Sequence, residues 1–367
     1  MIGHVPGQIR EGTFPAIDLP IAPPYPPMEA RSAEKLPASE GWFFEPKWDG
    51  FRCLAFRKDD DVLLQSKSGQ PLGRYFPELI DALRALPARQ FVVDGEVVIF
   101  QGGHLSFDDL LQRIHPAESR IKRLAKDTPV TLLGFDLLVD ARGRDLTAEP
   151  LTRRRERLER FFETIESERL QLSPYTPDLA TAQQWMADLG AAGLDGVVAK
   201  LANAPYHSGD RDGMVKVKRL RTADCVVGGF RYGEGTKQIG SLLLGLYDHE
   251  GQLNHVGFAA SFTASERQKL KAIVEPLAGG SGFTGRAPGG PSRWSTKRSS
   301  EWVSLKPTLV CEVRYDHFSG DRFRHGTKFL RWRPEKAPKQ CTFDQLITRG
   351  RGLAVLGNDH RIKGSDP

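Results

Sequence analysis

The chain has 367 residues, 39% of them hydrophobic and 27% charged, enough for two or three globular domains with real cores. Its formal net charge of +6 weakly favours a polyanionic partner. The four cysteines (Cys53, Cys225, Cys311 and Cys341) form no CxxC pair, which argues against a structural zinc site or a disulfide framework and for a reducing compartment. No apolar run reaches the roughly 20 residues of a membrane-spanning helix.

Met1-Ile2-Gly3-His4-Val5-Pro6 has no basic region followed by an apolar stretch, so no signal peptide is expected. Residues 1–40 hold eight of the 25 prolines, five of them between Pro20 and Pro27, and so read as an extended arm lying over the first domain, without chemistry of its own. Trp42-Phe43-Phe44 and Phe51–Phe56 read as strands on either side of the turn Lys47-Trp48-Asp49-Gly50. Asp61–Gln65 is a short strand, and Phe76–Leu86 is a helix with Leu79, Ile80, Leu83 and Leu86 on one face. Phe91–Phe100 is a strand in which Gly95 predicts a bend or bulge. Phe107–Ile114 is a short helix, and Val130–Val139 is an apolar strand interrupted by Asp136. In the helix Arg153–Ile165, Leu158, Phe161, Phe162 and Ile165 point inward. Arg153, Arg154, Arg155, Arg157 and Arg160 form the opposite face, read as solvated in preference to a DNA contact. Thr181–Leu189 is a helix and Gly193–Lys200 a strand.

Beyond residue 220 the pattern turns β-rich, with strands at Cys225–Tyr232, Ser241–Tyr247, Leu253–Phe258, Trp302–Val303 with Leu309–Tyr315, and Phe329–Trp332. One helix, at about Thr263–Leu277, opens with the capping box Thr263/Glu266. Five strands with one helix between the middle ones predict a small Greek-key barrel of the OB type. Gly279–Ser300 reads as a loop rich in Gly, Ser, Arg and Lys.

Several stretches place charges at the ends of, or inside, apolar strands: Lys47, Asp49 and Arg52; Lys67; Asp94 and Glu96; Asp136; Asp195 and Lys200; Lys216 and Lys218. A charge in a buried strand is costly unless it is paired or faces a cavity. Together they predict a shared polar cleft, cationic with a few carboxylates, suited to a nucleoside triphosphate and a metal ion. Simpler readings stand beside this one. Lys47 alone is a surface turn lysine, and core packing is the alternative reading of Phe135. Lys200 is either a site residue or an exposed strand end, Asp94 pairs with a turn amide, and Asp136 pairs with a neighbouring strand. Asp49 is as much structural as catalytic. His115 and His207 have no partner at ligand spacing and read as surface or locally hydrogen-bonded residues.

The order and spacing of these motifs resemble the covalent nucleotidyltransferases, most closely the ATP-dependent DNA ligases. The family's K-x-D-G-x-R is matched by Lys47, Asp49, Gly50 and Arg52, and its second motif by Lys67 and Gly69. D-G-E is Asp94-Gly95-Glu96, and F-D-x-L is Phe135, Asp136 and Leu138. E-G-V-V-x-K reads Asp195-Gly196-Val197-Val198-Ala199-Lys200, and K-x-K is Lys216 and Lys218. The segment Phe329–Lys336 resembles the sixth motif, with Arg324, Arg331, Arg333 and Lys336 as its basic residues. The similarity covers about residues 40–340 and is closest to the compact stand-alone bacterial ligases of the C type and the ligase module of bacterial end-joining enzymes. Four departures stand out. Asp195 replaces Glu, Lys67 replaces the commoner Arg, Met214 stands where Trp is common, and Arg324 to Arg333 is one residue longer than the usual arginine spacing.

The resemblance implies an α+β architecture. A nucleotidyltransferase (adenylation) domain of antiparallel sheets flanked by helices at 41–220 is followed by an OB-fold β-barrel at 221–340, with the arm at 1–40 and a tail at 341–367. It implies an ATP-dependent DNA ligase that seals 5′-phosphate/3′-hydroxyl nicks through a lysyl-AMP and an adenylated DNA intermediate, in DNA repair. Lys47 would be the nucleophile, with Lys216 and Lys218 catalytic beside it. Glu45, Arg52, Lys67, Glu96 and Phe135 would bind the nucleotide. Asp195, with Glu96, would hold the metal. The cofactors implied are ATP and Mg²⁺ or Mn²⁺, and the partner is nicked double-stranded DNA. A repair polymerase or primase-polymerase is the candidate protein partner. A monomer in the cytoplasm, at the nucleoid and not at a membrane, is expected. The rival readings are an RNA ligase or GTP-using capping enzyme of the same superfamily, and a nucleic-acid-binding protein on an inactive ligase fold.

Overall fold

The computed structural model describes residues 13–194, 196–289, 301–324 and 326–346. The chain divides into two compact units between Arg219 and Leu220.

The first unit is built on two sheets. A five-stranded sheet runs Asp61–Ser66, Phe51–Lys58, Gln90–Val98, Thr131–Val139, Leu170–Leu172, antiparallel except for the last pair. A four-stranded sheet runs Arg31–Ala33, Met214–Lys218, Gly196–Leu201, Trp42–Lys47, antiparallel except for the first pair. The period-2 alternation of Phe51–Lys58 decides how the sheets pack. Cys53 and Ala55 join Phe91, Val93, Leu132 and Leu137 in a core with Leu79, Leu83, Leu158 and Phe161 of the helices Pro77–Arg84 and Leu151–Glu163. Leu54 and Phe56, on the other face, pack with Val92, Leu138, Tyr206 and Met214, and with partly buried Val198 of the smaller sheet. The outer face of the smaller sheet, Phe44, Val197 and Ala199, packs on Trp185 of the helix Leu179–Asp188. That helix starts where Asp178 accepts hydrogen bonds from the Ala180 and Thr181 amides.

Register shifts at Val92/Val93 and Asp94/Gly95 distort the pairing of Gln90–Val98 with Thr131–Val139, the irregularity that Gly95 predicted. A Cβ on Gly95 would lie 2.7 Å from the Leu133 carbonyl oxygen, so the close strand approach requires glycine. The helix Glu118–Asp127 was not predicted: most of its residues are charged and only Ile121 is buried, so no apolar stripe marks it.

Two expectations need correcting. The basic face of the helix Leu151–Glu163 is not uniformly solvated: Arg154 and Arg155 are buried, because each finds a carboxylate and an aromatic ring within reach. The N-terminal arm is more than a cover. Ile17, Ile21 and Met28 belong to the core, Arg31–Ala33 pairs with the strand that carries Lys216, and residues 28 and 29 contact site residues described below.

The second unit is a curved sheet ordered Leu253–Ala259, Ile239–Tyr247, Arg221–Tyr232, Val310–Tyr315, Lys328–Trp332, with Val303–Ser304 also paired to Arg221–Tyr232. Thr327 bridges to Ala259, and its amide donates to the Phe258 carbonyl at 3.0 Å. The first and last strands therefore meet and the sheet closes into a barrel around Val226, Leu242, Leu244, Val256 and Val313. The helix Ala264–Val274 begins with the predicted capping box, Thr263 and Glu266 bonding each other's backbone amides. Of the expected loop at 279–300, only residues up to 289 lie within the described part.

Candidate active site

The smaller sheet gathers the lysines. Lys47 stands opposite Gly196, and Gly196 opposite Lys218. One step along, Glu45 stands opposite Val198, and Val198 opposite Lys216. Lys200 stands opposite Phe43. Residues two apart share a face of a strand, so Glu45, Lys47, Lys200, Lys216 and Lys218 all lie on the face opposite the Phe44–Val197–Ala199 core. A Cβ on Gly196 would fall 2.0 Å from the Val217 carbonyl oxygen, so this strand can pass between the two lysine strands only with glycine there. Burial, together with the charges of Lys67, Lys47 and Lys218, lowers the Lys216 pKa, which places these ammonium groups within each other's field.

The larger sheet supplies the opposing groups. Arg52 grips Asp94 with two parallel hydrogen bonds, Nε to Oδ1 at 2.5 Å and Nη2 to Oδ2 at 2.6 Å. Asp94 is fully buried and also accepts from the Tyr206 hydroxyl at 2.7 Å. Burial alone would favour a neutral Arg52, but the Asp94 carboxylate outweighs it and holds the guanidinium charged. Tyr206 keeps its proton, since burial and Asp94 both raise its pKa. Glu96 stands opposite Arg52, and burial pushes its carboxyl up to about 7 against the pull of Arg52 and Lys47. The turn between the two sheets is anchored where the Trp48 indole donates to Ser173 Oγ at 2.8 Å. It packs so closely that a Cβ on Gly50 would lie 2.2 Å from the Val97 carbonyl oxygen.

Phe135 sits between the two groups of cations, its ring centroid 4.6 Å from Arg52 Cζ and 4.3 Å from Lys200 Nζ. It is 7% exposed but its ring faces charge rather than core, which favours the site reading over plain packing. Lys200 is not an exposed strand end: it is buried and paired with Glu45 at 2.8 Å. The expected turn partner of Asp94 is instead the Arg52 guanidinium. Asp136 does not pair across strands but with Arg154, through bonds of 2.8 and 3.0 Å in a fully buried setting. Lys67 stands at the rim, more than half exposed, with its ammonium 3.1 Å from Glu29. His115 accepts from the Ala117 amide at 3.0 Å, a local turn contact. Tyr206, Met28, Glu29 and Arg211 carry no signal in the sequence, because loop and arm residues have no periodicity and their partners lie far along the chain.

Asp195 lies outside the described residues. Among the described residues no group of three or more His, Cys, Asp or Glu could hold a metal ion by itself. The basic residues of the sixth motif lie in the second unit and are engaged there. Arg333 Nη1 lies 2.8 Å from Asp224, Lys336 Nζ 3.1 Å from Asp224, and Arg331 Nε 2.7 Å from Glu312. Arg324 is half-buried, and its amide donates to the His317 carbonyl.

This combination of a strand-end lysine, a lysine pair, a locked arginine, an aromatic ring and a barrel following in the chain can bind a nucleotide and transfer it to lysine. Residues 27–218 match the family model for the ATP dependent DNA ligase domain, and residues 235–336 match that for the ATP dependent DNA ligase C terminal region. DNA ligase C1 of Mycolicibacterium smegmatis is 48% identical over 343 residues, covering 90% of this chain and 96% of that protein. DNA ligase C of Mycobacterium tuberculosis is 42% identical over 346 residues, with the same coverage of both chains. A solved structure from a study of Lig E DNA ligases shares the fold, with a TM-score of 0.50 at 17% identity over 83% of this chain and all of the other. A family model spanning more than half the chain, together with relatives matched along nearly their whole length, places this chain in the ATP-dependent DNA ligase family, whose reaction is the sealing of nicks in DNA.

Proposed function

We propose that Lys47 Nζ is the nucleophile of this ligase. As a neutral amine it attacks the α-phosphorus of ATP; the P–N bond forms as the bond to pyrophosphate breaks. The AMP then passes to the 5′-phosphate of a nick, and the 3′-hydroxyl displaces it to close the strand. The observation that carries this reading is the cross-strand row Lys47–Gly196–Lys218 with Lys216 beside it. It supports Lys216 and Lys218 as the groups that offset the charge developing on the phosphate. Arg52, oriented by Asp94, and Lys67 hold phosphate. Glu96 accepts from the ribose hydroxyls. Phe135 offers its ring to the adenine, a contact worth about 1–3 kcal/mol for base–aromatic stacking. Glu45, held by Lys200, directs its remaining lone pairs at the base edge. A bound magnesium ion would supply charge neutralisation and Lewis acidity, with Glu96 and Asp195 as its protein contacts.

On the same reading, residues 41–220 form the adenylation domain and 221–340 the OB domain, and Arg324, Arg331, Arg333 and Lys336 belong to the OB domain's sixth motif. The enzyme acts as a monomer in nick repair at the nucleoid, beside a repair polymerase or primase-polymerase. The test is incubation with α-labelled ATP and Mg²⁺, with α-labelled GTP in parallel. A covalent label from ATP is expected on the protein, absent in Lys47→Ala and discharged by nicked DNA. Wild-type protein that never acquires label, or a label that persists in Lys47→Ala, would overturn the assignment.

A further inference from the structure

Two buried carboxylates face each other in the larger sheet: Asp94 and Asp136 stand opposite in the pairing of Gln90–Val98 with Thr131–Val139. Like charges directly opposite on neighbouring strands repel, so each needs its own cation. Asp136 has Arg154 and Asp94 has Arg52, each through two hydrogen bonds. Tyr206 touches both pairs. Its hydroxyl donates to Asp94 Oδ2 at 2.7 Å, the oxygen that also accepts from Arg52 Nη2 at 2.6 Å. Its ring centroid lies 5.7 Å from Arg154 Cζ. The ring is held in place by more than its hydroxyl. Tyr25 of the arm stacks on it with centroids 6.4 Å apart, and the Tyr206 amide donates to the Thr147 carbonyl at 2.8 Å. The hydroxyl also accepts from the Met28 amide at 2.9 Å, and the Met28 carbonyl accepts from Arg52 Nη2 at 3.2 Å. Arg52, Asp94, Tyr206 and the Met28 peptide thus form a closed circuit of hydrogen bonds.

We propose that Tyr206 is a positioning residue for Arg52: its hydroxyl commits Asp94 to the Arg52 guanidinium while its ring keeps Arg154 on Asp136, so that Arg52 is preset in the orientation in which it meets a nucleotide phosphate. The inference rests on the assignment of Arg52 to phosphate binding. The physical argument concerns the choice of partners. Two arginines and two carboxylates in one buried cluster can pair in more than one way, and a bidentate fork is lost as soon as its carboxylate rotates. A neutral donor on Asp94 Oδ2 fixes the plane of the carboxylate without bringing a third cation that would compete with Arg52. The hydroxyl keeps its proton, because burial and Asp94 both raise its pKa, so it acts as a donor throughout the neutral range. A charge held in place before the nucleotide arrives needs no reorganisation during the reaction. Because the Met28 peptide closes the circuit, the N-terminal arm takes part in setting Arg52.

The test compares the full chain with Tyr206→Phe and with para-aminophenylalanine at the same position, which keeps the ring and restores an N–H donor to Asp94. The first readout is the Arg52 Nε–H signal in proton–nitrogen NMR spectra, identified by its loss in Arg52→Lys. Its exchange with solvent should quicken about 10-fold in Tyr206→Phe and return to within about 3-fold of wild type with the aniline, the scale of one hydrogen bond to a charged group. The second readout is the rate of covalent labelling from α-labelled ATP over a range of ATP concentrations. Tyr206→Phe should lower the maximal rate about 10-fold and move the half-saturating ATP concentration by less than about 2-fold, since what is lost is the placement of a charge and not a contact with the nucleotide. The aniline should recover most of that rate. If both variants fail to fold, or if Tyr206→Phe folds with reduced stability while the Arg52 signal and the labelling rate stay as in wild type, Tyr206 is a structural residue and the proposal is overturned. Arg52→Ala separates the two layers. Normal labelling in Arg52→Ala removes the assignment of Arg52 itself. Slow labelling there, with wild-type behaviour of Tyr206→Phe, removes only the positioning role of Tyr206.

Discussion

Arg52 and Asp94, on adjacent strands of the larger sheet, form a bidentate ion pair at 2.5 and 2.6 Å, closed into a ring by Tyr206 and the Met28 peptide. Asp94 is the residue that orients Arg52. Asp94→Ala should therefore do two things. It leaves a largely buried guanidinium without its counter-ion, at a cost of about 3–5 kcal/mol. It also abolishes productive phosphate binding. Asp94→Asn keeps one acceptor and should lose less. Chemical denaturation and the rate of protein labelling from ATP, measured on both variants, check this; equal stability of wild type and Asp94→Ala contradicts it.

Arg154 and Arg153 are neighbours on one helix with opposite fates. Arg154 is buried against Asp136, while Arg153 is exposed and paired with Glu156 at 3.1 Å. Arg154→Ala should destabilise by about 3–5 kcal/mol, because it strands a buried carboxylate. Arg153→Ala should change stability by less than about 0.5 kcal/mol. The denaturation midpoints of the two variants are the measurement, and similar values would place both arginines in solvent.

Glu96 titrates near neutrality, its folded pKa pushed up to about 7 from 4.5. The folded state holds this proton more tightly than the unfolded chain. The contribution is thus fully favourable below about pH 4.5 and is lost as the pH rises through about 7, by at most about 3 kcal/mol. Glu96→Gln should flatten that part of the stability–pH curve and gain relative stability at pH 8. The ionised form is the one that accepts from ribose or metal, so wild-type labelling should rise through about pH 7 and the rise should be missing in Glu96→Gln. An unchanged pH profile in the variant would assign the titration to another group.

Gly196 separates the strands of Lys47 and Lys218, and a Cβ there would meet the Val217 carbonyl at 2.0 Å. Gly196→Ala must open the strand pairing. It should cost roughly 1–3 kcal/mol by overpacking and reduce labelling far more than that loss of stability explains. A variant with normal labelling would show that the lysine row tolerates rearrangement.

The sequence by itself determined the order of the motifs, the family they resemble, the alternating strands and the capped helices. These follow from local rules: residues two apart share a strand face, a Thr with Glu three residues later caps a helix, and a glycine inside a strand marks close approach. Charges set inside apolar strands, and the family resemblance of the motifs that hold them, named Lys47, Arg52, Glu96, Lys216 and Lys218 as candidate site residues without coordinates. Only the tertiary structure decided which charges neutralise which. Lys200 and Glu45, 155 residues apart, meet because their strands pair within the smaller sheet, and Tyr206 and Asp94, 112 apart, meet because Tyr206 packs on the larger sheet. Arg154 and Arg153 look alike in the sequence, and only the packing of their helix separates the buried arginine from the exposed one. The arm illustrates the same limit. Its prolines predict extended chain, yet its part in the site depends on a parallel pairing between Arg31–Ala33 and Met214–Lys218. Periodicity shows which side chains share a face; what that face meets is settled when distant segments bury their apolar surface together and their stranded charges must find partners.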